Sequence, residues 1–163
     1  MKEIWKPVVG YEDSYEVSDL GHVRRAHAMG RNTIAGHVLS PGVGAHGHHH
    51  VSLFKEGHKS QLLVHRLVAL AFIGAPPPGR EIVCHNDGDP FNNRVDNLRW
   101  DTQSSNIIDS VTHGNHRNTR KVQCIRGHDL SGENLYRRSN GRRECRTCIR
   151  DRVQRRMQSL TVL

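Results

Sequence analysis

Val64, Leu67, Val68, Ala71 and Phe72 recur at i, i+3, i+4, i+7 and i+8, so residues 62–73 carry one apolar helical face. Pro76-Pro77-Pro78-Gly79 ends that helix, because proline has no N–H to give and clashes with the preceding turn. Ahead of it the pattern is one of short strands: Ile4-Trp5, Val8-Val9, Tyr15 to Val17, and Val23. Turn signals separate them at Gly10, Asp13-Ser14 and Asp19-Leu20-Gly21. Residues 26–50 are rich in Gly and His and show little periodicity, and Val51 to Phe54 then reads as a strand closed by a hairpin turn at Glu56-Gly57. Beyond the helix, Glu81 to Cys84 is a short strand. Residues 85–96 are a polar loop with Asn or Asp at half of its positions, and Leu98 to Trp100 is a second strand. Thr102 is placed to cap a helix over 103–112 that Gly114 closes. A linker over 115–121 leads to a cysteine-bearing segment, and residues 149–158 form a candidate basic helix.

This order predicts an α+β chain of three parts. A small β-rich module covers 1–58, a ββα core covers 59–116, and a basic metal-binding module of knuckle or treble-clef type covers 117–163. Hydrophobic residues make up 35% of the 163 and aromatics 5%, which argues against one large core and for small modules with local supports. The net charge of +8 is concentrated: residues 117–163 hold 13 basic and 4 acidic side chains, net +9, and residues 1–116 hold 11 and 12, net −1. A basic tail of that density points to a polyanion, most often nucleic acid. No apolar run approaches bilayer length and residues 1–10 carry no signal pattern, so a soluble intracellular protein is expected.

The ββα segment places His85 at the end of its first strand, Asn97 just before the second and Asn106 near the first turn of the helix. A neutral imidazole is the natural base near pH 7. An amide oxygen is a suitable hard ligand for Mg²⁺, and an Asn at the foot of a loop can tie its backbone with two donors and an acceptor. Base, cation and rigid placement are what phosphodiester hydrolysis requires.

The stretch VCHNDGDPFNNRVDNLRWDTQSSN, residues 83–106, resembles the HNH motif of phage and homing endonucleases. VHRLVALAFIG, residues 64–74, looks like the helix that precedes it in that family, and WKPVVGYEDSYEVSDLGHVRR, residues 5–25, is similar to a β-rich module that accompanies these nucleases. The resemblance implies a ββα-metal fold and hydrolysis of double-stranded DNA to 5′-phosphate and 3′-hydroxyl ends. It implies His85 as general base, Asn97 as the structural middle residue and Asn106 as ligand to one catalytic Mg²⁺ or Mn²⁺. Relatives often carry Asp before the histidine as a second ligand. Here Cys84 stands there, and a thiolate suits softer metals. The second ligand is therefore open among Cys84, Asp109 and His113, with Asp87 and Asp89 behind them.

Cys124, His128, Cys145 and Cys148 read C-x3-H and C-x2-C, a pattern suited to one tetrahedral structural Zn²⁺. Arg126, Arg137, Arg138, Arg142, Arg143 and Arg146 around it, with Arg94 and Arg99 in the ββα unit, are candidate DNA contacts. His65 reads as structural support, and the run His46, His48, His49, His50 as a strand near DNA or solvent rather than a metal site. The expectation is thus a metal-dependent DNA endonuclease that nicks as a single unit or cuts both strands as a homodimer. The rival is a zinc-dependent DNA-binding or phage packaging accessory protein with a weakened nuclease site. An RNA-binding factor is a third class, disfavoured by few aromatics for stacking bases.

Overall fold

Alternation of apolar and polar residues shapes the first sheet. In the computed structural model, which describes residues 2–28, 33–45 and 47–160, β1 (Trp5–Pro7), β2 (Tyr15–Ser18) and β3 (Val23–Arg25) form an antiparallel sheet in that order. Tyr15 and Val17 point inward, while Glu16 between them meets Arg24 across the strand pair at 2.7 Å. Ser18 Oγ accepts from the backbone N–H of His22 at 3.0 Å and so folds the β2–β3 turn, which Gly21 completes at φ +88°.

The second sheet runs β4 (Gly42–Val43), β5 (His49–Lys55), β6 (His58–Leu63), again antiparallel. Glu56 and Gly57 both take positive φ, 51° and 79°, as a two-residue hairpin turn matched to strand twist requires. β6 leads directly into α1 (Val64–Val68). The stretch predicted as one helix over 62–73 changes character midway. Ala69–Ile73 is π-helical, and the Gly74 N–H reaches the Ala69 carbonyl at 3.0 Å. The Gly74 carbonyl in turn accepts the Trp100 indole N–H at 2.9 Å, so the buried tryptophan keeps a partner.

β7 (Ile82–His85) pairs antiparallel with β8 (Leu98–Asp101), setting His85 opposite Leu98. α2 (Gln103–Thr112) follows, capped by Thr102 Oγ1, which accepts from the Ser105 N–H at 3.1 Å and contributes about 1 kcal/mol.

The sequence suggested separate small cores, but the apolar residues of the two leading segments are pooled. Val8, Tyr15, Val17 and Val23 join Val51 and Leu53, the helix residues Val64, Leu67, Val68 and Ala69, and Val83, Leu98 and Trp100 in one buried cluster. Met1–His113 is accordingly one compact unit and Gly114–Leu163 another. The boundary expected between 58 and 59 falls at the head of β6, inside the β5–β6 hairpin.

The second unit contains β9 (Leu135–Arg137) paired with β10 (Arg143–Cys145), then α3 (Arg146–Leu160). Among its described residues only Leu130 and Cys145 are buried. Apolar burial alone therefore gives this unit little support.

Candidate active site and metal centre

His85 ends β7 and is 8% exposed. Its Nε2 lies 3.2 Å from Asn93 Oδ1. The orientation of the Asn93 amide is fixed independently, because its Nδ2 donates to the Phe91 carbonyl, which can only accept, and also faces His49 Nδ1, both at 3.3 Å. The amide oxygen must then face His85, so Nε2 carries the proton and Nδ1 keeps its lone pair. Burial lowers the His85 pKa below its ordinary 6.5, against the Asn93 hydrogen bond and the nearby Asp87 and Asp89 charges, so the ring is neutral at pH 7.

The loop that carries Asn93 is tied from within. Asn97 Nδ2 donates to Asp87 Oδ1 at 2.9 Å and to the Asn92 carbonyl at 2.8 Å, and its Oδ1 accepts the Asp87 N–H at 3.1 Å. Burial opposes the charge on Asp87. Hydrogen bonds from the Asp89 N–H and from Asn92 and Asn97 outweigh it and hold that carboxyl below its usual range. The loop is also buttressed from the first sheet. The Val95 N–H donates to the Asp19 carbonyl at 2.9 Å, and Gly21 sits so close that a Cβ there would lie 2.7 Å from Asn93 Cβ.

Cys84 is 1% exposed and its Sγ faces Asn106 Oδ1 of α2 at 3.6 Å. Consecutive strand positions turn opposite ways, so Cys84 faces the helix while His85 faces the loop. Burial raises the Cys84 pKa, which keeps it a thiol and a poor partner for Mg²⁺. Asp109 forms a close ion pair with Arg99, and the His113 ring packs against Gly88, where a Cβ would meet it at 2.7 Å. Arg99, expected to face DNA, braces the unit from within: its guanidinium also holds Asp101 at 3.0 Å and Asn86 Oδ1 at 2.5 Å. Arg94 lies on the surface beside Asp96 at 3.3 Å.

Two family models match this arrangement: a NUMOD4 motif over residues 3–54 and an HNH endonuclease over residues 62–107. The chain carries an HNH endonuclease domain behind a NUMOD4 motif. Residues over 74% of the chain are 36% identical to the DNA endonuclease I-HmuI of Bacillus phage SP01. Two uncharacterized HNH endonucleases of Acanthamoeba polyphaga mimivirus are 33% and 34% identical over 78% and 75% of the chain. The solved structure of I-HmuI, described as the DNA binding and cleavage by that homing endonuclease, matches with a TM-score of 0.59 and 34% identity over 70% of this chain and 61% of that one. The chain spans 64% of the length of the phage relative and 35% and 30% of the viral ones.

Outside the HNH domain, the second unit gathers Cys124, His128, Cys145 and Cys148, whose ligand atoms all lie within 4.8 Å of one another. Cys124 Sγ is 3.7 Å from Cys148 Sγ, and His128 Nδ1 is 3.5, 3.7 and 3.3 Å from the sulfurs of Cys124, Cys145 and Cys148. A tetrahedral Zn²⁺ with sulfur at about 2.3 Å and nitrogen at about 2.0 Å places its ligands roughly 3.5–3.8 Å apart, so the cluster fits such an ion. Backbone N–H groups of Arg126 and Cys148 point at the sulfurs of Cys124 and Cys145, at 3.4 and 3.5 Å. The Cys148 N–H leads the causes that lower Cys145 to about 6, which favours the thiolate that a metal needs.

The arginines of this unit divide in role. Arg143, expected to contact DNA, also bonds the carbonyls of Asn118, Thr119 and Leu130 and so braces the unit from within. Arg138 and Arg142 flank Glu144, Arg126 stands 3.9 Å from Asp151, Arg146 lies over the Tyr136 ring and Arg137 is exposed.

Sequence reasoning missed two parts of the first unit. Asn93 looked like a turn residue among several, and only the fold reveals its bond to His85. Nor did the histidine run suggest what the fold does with it: His48 stacks on His85 at 5.6 Å, and His65, from the first turn of α1, stands edge-on to both. His46 lies outside the described residues.

Proposed function

We propose that the chain is a metal-dependent DNA endonuclease that hydrolyses phosphodiester bonds with His85 as general base. The observation that carries this reading is the buried, neutral imidazole whose Nε2–H is held by Asn93 and whose Nδ1 is left as the base. Nδ1 takes a proton from water, the hydroxide attacks phosphorus, and the P–O3′ bond breaks with the leaving oxygen protonated by solvent. Asn97 and Asp87 keep the loop, and through it the ring, in place. Asn106 offers one hard oxygen for Mg²⁺ or Mn²⁺, while the neutral Cys84 thiol beside it does not suit such an ion. A divalent cation bound there supplies charge neutralisation for the phosphate and the leaving oxygen. In the second unit Cys124, His128, Cys145 and Cys148 hold a structural Zn²⁺, and Arg126, Arg137, Arg138, Arg142 and Arg146 contact DNA phosphates.

Plasmid nicking with Mg²⁺ or Mn²⁺ tests the reading. His85→Ala is expected to abolish cleavage and leave DNA retardation nearly unchanged. Equal loss of binding would remove His85 from the base role. Retardation by the wild-type chain without cleavage under any divalent ion would favour a DNA-binding accessory protein, the reading that the buried Cys84 thiol supports.

A further inference from the structure

We propose that His48, His65 and His85 form a second metal site in the first unit, for a borderline ion such as Zn²⁺, and that an ion bound there disables the base. The three rings come from separate elements: the residue before β5, the first turn of α1 and the end of β7. Their ring centroids are 4.8, 5.3 and 5.6 Å apart, and one nitrogen from each lies within 4.8 Å of the others. Tetrahedral Zn²⁺ with nitrogens at about 2.0–2.1 Å wants them roughly 3.4 Å apart. Closing to that distance takes movements of about an ångström, within reach of the soft χ2 torsion of histidine.

Two observations set this trio apart from ordinary packing. His65 is 6% exposed and its Nδ1 is buried without a hydrogen-bond partner among the described residues, an orphaned lone pair or N–H that should carry a cost unless a ligand meets it. His65 and His85 are also both held in the neutral form that a metal requires, chiefly by burial. Three imidazoles without a carboxylate prefer Zn²⁺, Cu²⁺ or Ni²⁺ over Mg²⁺, whereas the amide oxygen of Asn106 prefers the hard ion. The first unit therefore offers two chemically distinct sites. Capture at the trio disables His85 whichever nitrogen it takes: at Nδ1 the basic lone pair is occupied, and at Nε2 the Asn93 bond is broken.

The binding half of the proposal stands apart from the nuclease reading; the inhibition half rests on it. The full chain is stripped with a chelator, dialysed against Zn²⁺ and assayed for bound zinc. Two ions per chain are expected, one at the cysteine cluster and one here, falling to one in His48→Gln and in His65→Gln. One ion in the wild type, or two in both variants, overturns the site. Cobalt tests the wild type without any variant. With the cysteine cluster already filled by zinc, added Co²⁺ should give visible d–d bands without a thiolate charge-transfer band, and silence overturns the site. Zn²⁺ should then inhibit Mg²⁺-supported nicking. Loss of one direct ligand in His48→Gln should raise the half-inhibiting concentration, against that variant's own zinc-free rate, by about tenfold or more. Two bound ions without inhibition would overturn the coupling to His85, and a chain that never nicks would leave the zinc count to decide the site.

Discussion

Acid should loosen the first unit through His65. That ring is 6% exposed, and burial above all, aided by His48, His85 and Arg66, lowers its pKa from 6.5 to about 3. An unfolded chain binds this proton below pH 6.5, and the folded chain refuses it until about pH 3. Stability supplied by the neutral ring is therefore fully present above pH 6.5 and is lost progressively as the pH falls through that window. Each pH unit below the unfolded value costs about 1.4 kcal/mol, so His65 alone should remove about 2 kcal/mol between pH 7 and pH 5. That is a large share of a typical domain stability of about 5–15 kcal/mol. The assay is urea unfolding at both pH values, with EDTA present so that no ion holds the imidazoles. Both tryptophans of the chain, Trp5 and Trp100, lie in residues 1–113, so fluorescence follows that unit alone. His65→Gln should show a pH-dependent loss smaller by about 2 kcal/mol. Equal losses in wild type and variant would refute the reasoning.

Three further outcomes are expected. Gly21→Ala puts a methyl 2.7 Å from Asn93 Cβ at a φ of +88°, so it should destabilise by more than about 1 kcal/mol and slow nicking more than it weakens DNA retardation; equal effects would count against the Asn93 buttress. Stripping metal from the Cys124 cluster should melt α3 in far-UV circular dichroism while tryptophan emission stays constant, and a helix that survives the chelator would contradict a metal-dependent second unit. Cys84→Asp sets a carboxylate beside Asn106 and should lower the Mg²⁺ concentration for half-maximal nicking, whereas an unchanged Mg²⁺ requirement would exclude position 84 from the ion.

Much of the chain could be read locally. Thr102 announced the start of α2 because a threonine cap bonds within its own first turn, and Glu56-Gly57 announced its hairpin because the turn needs two positive φ angles. The stripe from Val64 to Phe72 gave the helix but not its π turn, which reaches the Trp100 indole from the far end of the ββα unit. β6, as HKSQLL, carries too weak an alternation to be read alone; its register comes from pairing with β5. The site divides the same way. His85, Asn97 and Asn106 stood out because their spacing lies within one ββα unit. Asn93 did not, and the bracing bonds of Arg99 could not be read, because both depend on which donors and carboxylates the fold brings together. His48 and His65 were hidden for the same reason, as residues on different elements that meet only over His85.

Gly21 and Asn93 belong to different family models yet occupy one another's space. An exchange of residues 3–54 with those of a relative therefore transplants one half of a lock and leaves the other behind. Productive chimaeras should need both positions moved as a pair. The same contact, together with the bond from the Val95 N–H to the Asp19 carbonyl, fixes the spacing between the first sheet and the loop that holds His85.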